Sequence, residues 1–188
     1  MTAKTRTFIA FETPLSVRQK IIPLQTELQR SHADVRWESP DKFHITIKFL
    51  GEVDDRRLPE IIALVGSVVQ SHTCFNVVYA GLGAFPDTRH PKVVWIGCEN
   101  PDGTLIRLKD DLDRELATKG FEIERRAFHP HLTLGRVKGP EGMSHLTPMI
   151  ENLTFEPQSI QINEIVVMKS RLQPQGSVYR VMKNIQLQ

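Results

Sequence analysis

Apolar positions along this chain follow two rhythms, one of period two and one near 3.6. Residues 5–11 form a short apolar run that Pro14 closes, and they read as a strand. Val17, Ile21, Leu24 and Leu28 then recur at helical spacing, with Ser16 placed to cap them. Pro23 inside that stretch predicts a kink or a late start. Residues 43–50 are rich in strand formers, and Gly51 stops them. Asp54 or Asp55 opens a helix to about Ser71 whose buried side carries Leu58, Ile61, Ile62, Val65, Val68 and Val69. Residues 75–79 and 93–96 read as strands, and 81–92, rich in Gly, Pro and charge, as a loop. Leu105, Leu108, Leu112 and Leu116 mark another amphipathic helix closed near Gly120. A strand over 131–137, a turn-rich segment over 139–148 and two late strands over 165–169 and 178–182, joined by a polar turn at 174–176, complete the reading.

Helices and strands are interspersed, with several strands close enough for antiparallel pairing. This favours an α+β fold over a doubly wound parallel sheet. No Gly/Pro/Ser-rich linker divides the chain, so residues 1–188 are expected to form one domain. Its 188 residues, 40% hydrophobic and 24% charged, exclude disordered, collagen-like and disulfide-scaffold classes. No apolar run approaches the roughly 20 residues of a membrane helix. Lys4 and Arg6 precede no apolar stretch of signal-peptide length, and Cys74 and Cys98 form no CxxC pair and read as small core residues. A cytoplasmic protein in a reducing compartment is the expectation. A net charge of +2 is too small to argue for duplex nucleic acid, yet leaves room for a small anion held by a few placed cations.

Two segments carry chemistry. Around Phe43 the chain reads FHITIKFLG, and around Pro130 it reads PHLTLGR. Each holds a histidine, an aliphatic residue, a threonine and a second aliphatic residue, and the two histidines stand 87 positions apart, close to half the chain. Side chains at i and i+2 share one face of a strand. His44 and Thr46 therefore project together while Ile45 and Ile47 are buried, and His131 and Thr133 do the same opposite Leu132 and Leu134. If the halves pack about a pseudo-two-fold axis, two imidazoles and two hydroxyls converge on one cleft. Such a pair suits phosphoryl chemistry: a neutral imidazole takes a proton from water, a protonated one gives a proton to the leaving oxygen, and the hydroxyls bind the non-bridging oxygens. Free imidazole titrates near 6.5, so both states are within reach of neutrality.

The tripeptide alone is weak evidence, because 7 His and 13 Thr among 188 residues give about 0.5 chance matches. A third copy, His145-Leu146-Thr147, sits against Pro148 and reads as a loop accident. Paired strand context and half-chain spacing distinguish the other two. His129-Pro130-His131 also admits a metal-ligand reading, but no matching cluster accompanies it. A non-catalytic RNA- or nucleotide-binding module is the rival from another class. Phe11 and Phe49 are candidates for stacking on a base, and Arg125 and Arg126 for phosphate contacts, each with a plain packing or solvation alternative. Trp37 and Trp95 read as packing residues.

PDKFHITIKFLGEV (40–53) and RAFHPHLTLGRVK (126–138), with the opening TRTFIAFETP, resemble the 2H phosphoesterase superfamily, in particular the LigT-like RNA 2′,3′-cyclic phosphodiesterases, or 2′-5′ RNA ligases. The resemblance spans essentially the whole chain. It implies a bilobal fold with two antiparallel sheets and flanking helices around a central cleft. It implies metal- and cofactor-free hydrolysis of a 2′,3′-cyclic phosphate to a 2′-phosphate, with joining or splitting of 2′-5′ linkages as a further use of the same groups. In it, His44 is the proton donor, His131 the proton acceptor, Thr46 and Thr133 contact phosphate, and Arg136 lies near the phosphate. RNA ends or small nucleotides carrying the cyclic phosphate are the implied partners, met by a monomer.

Overall fold

In the computed structural model, residues 3–173 and 176–188 are described; Met1, Thr2, Pro174 and Gln175, and with them most of the expected turn at 174–176, lie outside the described residues. The elements run β1 (Lys4–Glu12), α1 (Leu15–Gln29), β2 (Val35–Trp37), β3 (His44–Asp54), α2 (Leu58–Val69), β4 (Phe75–Phe85), β5 (Val93–Glu99), α3 (Thr104–Ala117), β6 (His131–Val137), α4 (Met143–Asn152), β7 (Gln158–Ile162), β8 (Glu164–Gln173) and β9 (Gly176–Gln186). The strands hydrogen-bond in the order β7-β4-β5-β6-β3-β1-β8-β9, with β2 also on β6. Every pairing is antiparallel. The α+β expectation holds. The two expected sheets are two four-stranded halves of one path, joined at the single pair Ile45–Leu132. Beyond that pair β2 takes the place of β3 beside β6, so the halves splay apart and leave a cleft.

The halves are interleaved. β4 follows β3 and α2 in the chain but pairs with β5, and β8, late in the chain, returns to pair with β1. Each half of the sheet is thus completed by a strand from the other half of the sequence. One face of the sheet carries Ile9, Phe11, Ile45, Ile47, Leu132 and Leu134 into a continuous core with Val17, Ile21 and Leu28 of α1 and Leu105, Leu108 and Leu112 of α3. The other face holds a small cluster of Phe8, Ala10, Val166 and Met168 and looks toward the cleft.

Several local expectations need correction. α1 begins at Leu15 with Pro14 as its cap, so Ser16 lies in the first turn, and the helix runs through Pro23 as one span. Residues 81–85 belong to β4 rather than a loop. Gly81, at φ +72°, serves a bulge between Ala80 and Leu82, and Gly83 makes room for the Trp95 indole, whose ring a Cβ would approach to 2.4 Å. The turn-rich 139–148 contains the start of α4, anchored by buried Leu146 and Ile150. His145 and Thr147 are helical, so they do not share a face as a strand pair would. β2 and β7 have no counterpart in the sequence pattern.

Candidate active site

Two bulges aim the site. β1 pairs Ala10 with Thr46 and Ile9 with Lys48, skipping Ile47. β5 pairs Trp95 with Thr133 and Val94 with Gly135, skipping Leu134. Each bulge falls one residue after the motif threonine, at equivalent places in the two halves. An extra residue reverses the alternation beyond it. Strict period two would bury Phe49 with Ile45 and Ile47, and Arg136 with Leu132 and Leu134. Instead both line the cleft, each five positions after its histidine. Phe49 is 59% exposed. Lys48 is turned inward, where it and Lys109 bind the Asp113 carboxylate; all three side chains are buried. Lys48 also donates to the Glu122 carbonyl at 2.9 Å, tying β3 to the segment that leads into β6.

The cleft encloses about 440 Å³ and is lined by His44, Thr46, His131 and Thr133 together. His44 Nδ1 lies 2.7 Å from the Lys42 carbonyl, and His131 Nδ1 lies 2.7 Å from the His129 carbonyl. A carbonyl only accepts, so Nδ1 carries the hydrogen in both rings, leaving Nε2 as the nitrogen that exchanges protons. Aromatic rings brace each imidazole. Phe8 lies 5.1 Å and Tyr179 5.0 Å from the His44 ring centroid, while Phe85 lies 4.9 Å from that of His131. Among the described residues neither motif threonine hydroxyl has a hydrogen-bond partner, so both are available to a ligand.

Charge distinguishes the two histidines. Burial holds both below the ordinary imidazole value. His44 is pushed back up by the Lys42 carbonyl and the carboxylates of Glu38 and Glu12, and down by Arg136. His131 is raised by the His129 carbonyl and lowered by Arg136, and no carboxylate raises it. Arg36 and Arg136 stand opposite one another in the β2–β6 pairing, and both line the cleft. Two like charges so placed repel unless an anion lies between them. Glu38, at 4.0 Å from Arg136 Nε, offsets part of that repulsion. A site with two accepting imidazoles, two free hydroxyls and paired guanidinium groups suits an oxyanion with a proton to exchange on either side.

The structure brings His44, Thr46, His131, Thr133, Arg136 and Phe49 to one place. It excludes Phe11 from stacking. Its ring is 1% exposed and packs edge-on against Phe75 inside the core, leaving no face for a base. Arg125 and Arg126 are exposed on a shallow depression beyond Phe49. Among the described residues no group of three or more His, Cys, Asp or Glu is placed to share a metal ion. Sequence reasoning missed Arg6, Arg36, Glu38, Lys42 and Tyr179 of the cleft lining. Only Lys42 had a local signal, standing two residues before His44 as His129 stands before His131.

Comparison with known proteins agrees with this arrangement. The family described as LigT like Phosphoesterase matches the chain twice, over residues 12–95 and again over 96–179. The RNA 2′,3′-cyclic phosphodiesterase of Methanothermobacter thermautotrophicus is 35% identical over 185 residues, covering 98% of this chain and 100% of that protein. A crystal structure of a Thermus thermophilus protein superposes with a TM-score of 0.79 at 25% identity, covering 96% of this chain and 97% of that one. Escherichia coli LigT complexed with 3′-AMP superposes at 0.77 with 26% identity, covering 98% of both chains. With two family matches that divide the chain at the same half-way point as its paired motifs, and a relative aligned from end to end, this chain belongs to the LigT-like phosphoesterases.

Proposed function

We propose that this chain hydrolyses RNA ends carrying a 2′,3′-cyclic phosphate, leaving a 2′-phosphate and a free 3′ hydroxyl. One observation carries the reading: two histidines, each locked through Nδ1 to the carbonyl two residues before it, open onto one cleft from opposite halves of the chain. His131, lowered by burial and by Arg136 with no carboxylate to raise it, is the one kept neutral, so its Nε2 takes a proton from water. The water oxygen forms a bond to phosphorus in line with the departing 3′ oxygen, and the P–O3′ bond breaks. His44, beside two carboxylates, is the one that gains a proton, and its Nε2–H delivers it to O3′. The reaction consumes one water, and proton exchange with solvent restores both rings.

In the free protein both imidazoles are held low, so His44 needs the substrate to become an acid. An arriving phosphate monoanion raises its proton affinity and supplies the missing partner for Arg36 and Arg136. Thr46, Thr133 and Arg136 hold the non-bridging oxygens as charge builds on them. Strain in the five-membered phosphate ring contributes to the drive. The nucleotides found with Escherichia coli LigT, 3′-AMP among them, support a nucleotide-sized occupant for this cleft. The strand exchange between halves supports reading residues 1–188 as one working unit with two lobes. Splitting or joining of 2′-5′ linkages would use the same groups.

The test is incubation with an oligonucleotide ending in 2′,3′-cyclic phosphate, with and without EDTA, followed by identification of the phosphate position. A 2′-phosphate in both arms is the expected product. A 3′-phosphate would reverse the leaving-group assignment, and an untouched substrate would leave only a nucleotide-binding module.

A further inference from the structure

The two histidines are backed by aromatic rings in different ways. Phe8 and Tyr179, beside His44, both line the cleft; Phe85 and Trp95, beside His131, do not. Strand register explains how these two reach the imidazole. On β5 the residue paired with His131 is Gly97, so no side chain stands directly beside the ring on that flank. Trp95, two residues earlier, pairs with Thr133 and shares the face. A diagonal neighbour is within reach when its side chain is as long as an indole. The indole lies over Gly83, its partner on β4, where a Cβ would run into the six-membered ring, and the same ring approaches Gly97. Phe85, two residues past Gly83, lies 5.0 Å from the Trp95 ring and meets His131 edge-on at 4.9 Å. Trp95 itself is 6.5 Å from the imidazole. Among the described residues the Trp95 Nε1–H is buried without a hydrogen-bond partner. A buried N–H left unpaired costs stability, so the indole is not the choice that stability alone would make.

We infer that Trp95 is a positioning residue for His131: through Phe85 it walls off the rear of the imidazole, fixing the direction of the ring and keeping water to the cleft side. This rests on the catalytic reading above and deepens it. A single hydrogen bond, from Nδ1 to the His129 carbonyl, leaves the ring free to tilt, and an aromatic edge against its flank removes that freedom. Burial is also the largest influence lowering the proton affinity of His131, and these rings supply part of that burial. The charged and titratable groups facing His131 are Arg136 on its own strand and His129 just before it. Across the cleft stand Arg6, Arg36, Glu38, Lys42 and His44. On β5, Glu99 shares the face but is exposed at the end of the strand, and β4 sets only Gly83 and Phe85 toward this side beyond its bulge.

The experiment follows the imidazole Cε1–H signals of the native chain and of Trp95→Leu through a pH titration by NMR, the His131 signal being the one lost in His131→Ala. In Trp95→Leu the His131 midpoint should rise toward the free imidazole value of about 6.5 as water reaches the ring, while that of His44 moves little. A general base must be unprotonated, so the acid limb of kcat/KM for a 2′,3′-cyclic mononucleotide should move to higher pH in step. On the plateau kcat should fall about 10- to 100-fold with less than about two-fold change in KM, as for a misplaced group rather than lost binding. Trp95→Phe keeps a flat ring there and should return the His131 midpoint most of the way to the native one. Gly83→Ala, which adds one methyl group beneath the indole, replaces Trp95→Leu if that variant does not fold. An unmoved His131 midpoint, or equal shifts for both histidines, overturns the positioning role and leaves the catalytic proposal standing. The expected His131 shift in a chain that turns over no cyclic phosphate sinks the catalytic proposal alone.

Discussion

The two motif strands are built by one recipe and surrounded by different company. β3 and β6 each place a histidine, then a threonine, then a bulge, then a cleft-facing side chain five positions on. In β3 that last residue is Phe49, and in β6 it is Arg136. At the bulge β3 buries Lys48, where β6 has Gly135, a position at which a Cβ would come within 2.6 Å of Val35 Cγ1. His44 has Phe8 and Tyr179 around it and carboxylates within electrostatic reach; His131 has Phe85, Trp95 and the Arg136 guanidinium. Repeated backbone geometry fixes where protons are exchanged. Under the proposed mechanism, the unrepeated neighbours decide which ring gives and which takes.

The largest effect tests the shared part. His44→Ala and His131→Ala should each lower kcat by about 10²- to 10⁴-fold, with circular dichroism and thermal unfolding close to the parent. Full turnover in either variant would falsify the paired acid–base mechanism. Next comes the pin behind the β3 bulge. Asp113→Ala leaves Lys48 and Lys109 buried without their anion, and the loss on denaturant unfolding should be about 3–5 kcal/mol. A loss below about 1 kcal/mol, the range of an exposed pair, would mean that the inward lysine is solvated and does not hold the bulge.

Phe49→Ala and Arg136→Ala separate the two cleft residues at equivalent offsets. A stacked base is worth about 1–3 kcal/mol, so Phe49→Ala should raise KM about five-fold or more for a nucleotide. It should leave inhibition by inorganic phosphate unchanged. Arg136→Ala should weaken both. Identical patterns from the two variants would end the division into a base side and a phosphate side. The smallest expected change is in pH dependence. Glu38 raises the proton affinity of His44, so Glu38→Gln lowers it. A general acid must be protonated, so activity is lost as pH rises through its pKa, and the alkaline limb of kcat/KM should move to lower pH. Since substrate raises the same group, that limb should lie higher in the kcat profile than in kcat/KM. A limb that stays put in Glu38→Gln would assign it to another group.

Much of this is legible without coordinates, because strand alternation is local. His44 with Thr46, and His131 with Thr133, follow from period two alone. What lies just beyond does not. A bulge is set by pairing with a neighbouring strand, so nothing in HITIKF or HLTLGR announces that Lys48 turns inward and Phe49 outward. Arg136 is expected at the phosphate only through family resemblance; alternation by itself would bury it. Phe11 misleads because β1 packs on both faces, and its odd-numbered side is the one that meets Phe75. The glycines at 81 and 83 resemble a loop because composition does not distinguish a turn from a bulge or from the space beneath an indole. Arg6, Tyr179 and the Arg36/Glu38 pair arrive from three separate segments, and only tertiary structure assembles them.

The exchange of strands between halves bears on how the chain is made. Synthesis releases β1 and β3 early, but the neighbour that covers the far edge of β1 is drawn from Glu164–Gln173, about 150 residues further on. Until those residues leave the ribosome, the nascent protein carries an unpaired, apolar strand edge of the kind that invites wrong partners. Folding of the first lobe therefore waits for the strand at 164–173, and chaperone protection should matter most until that segment has been released.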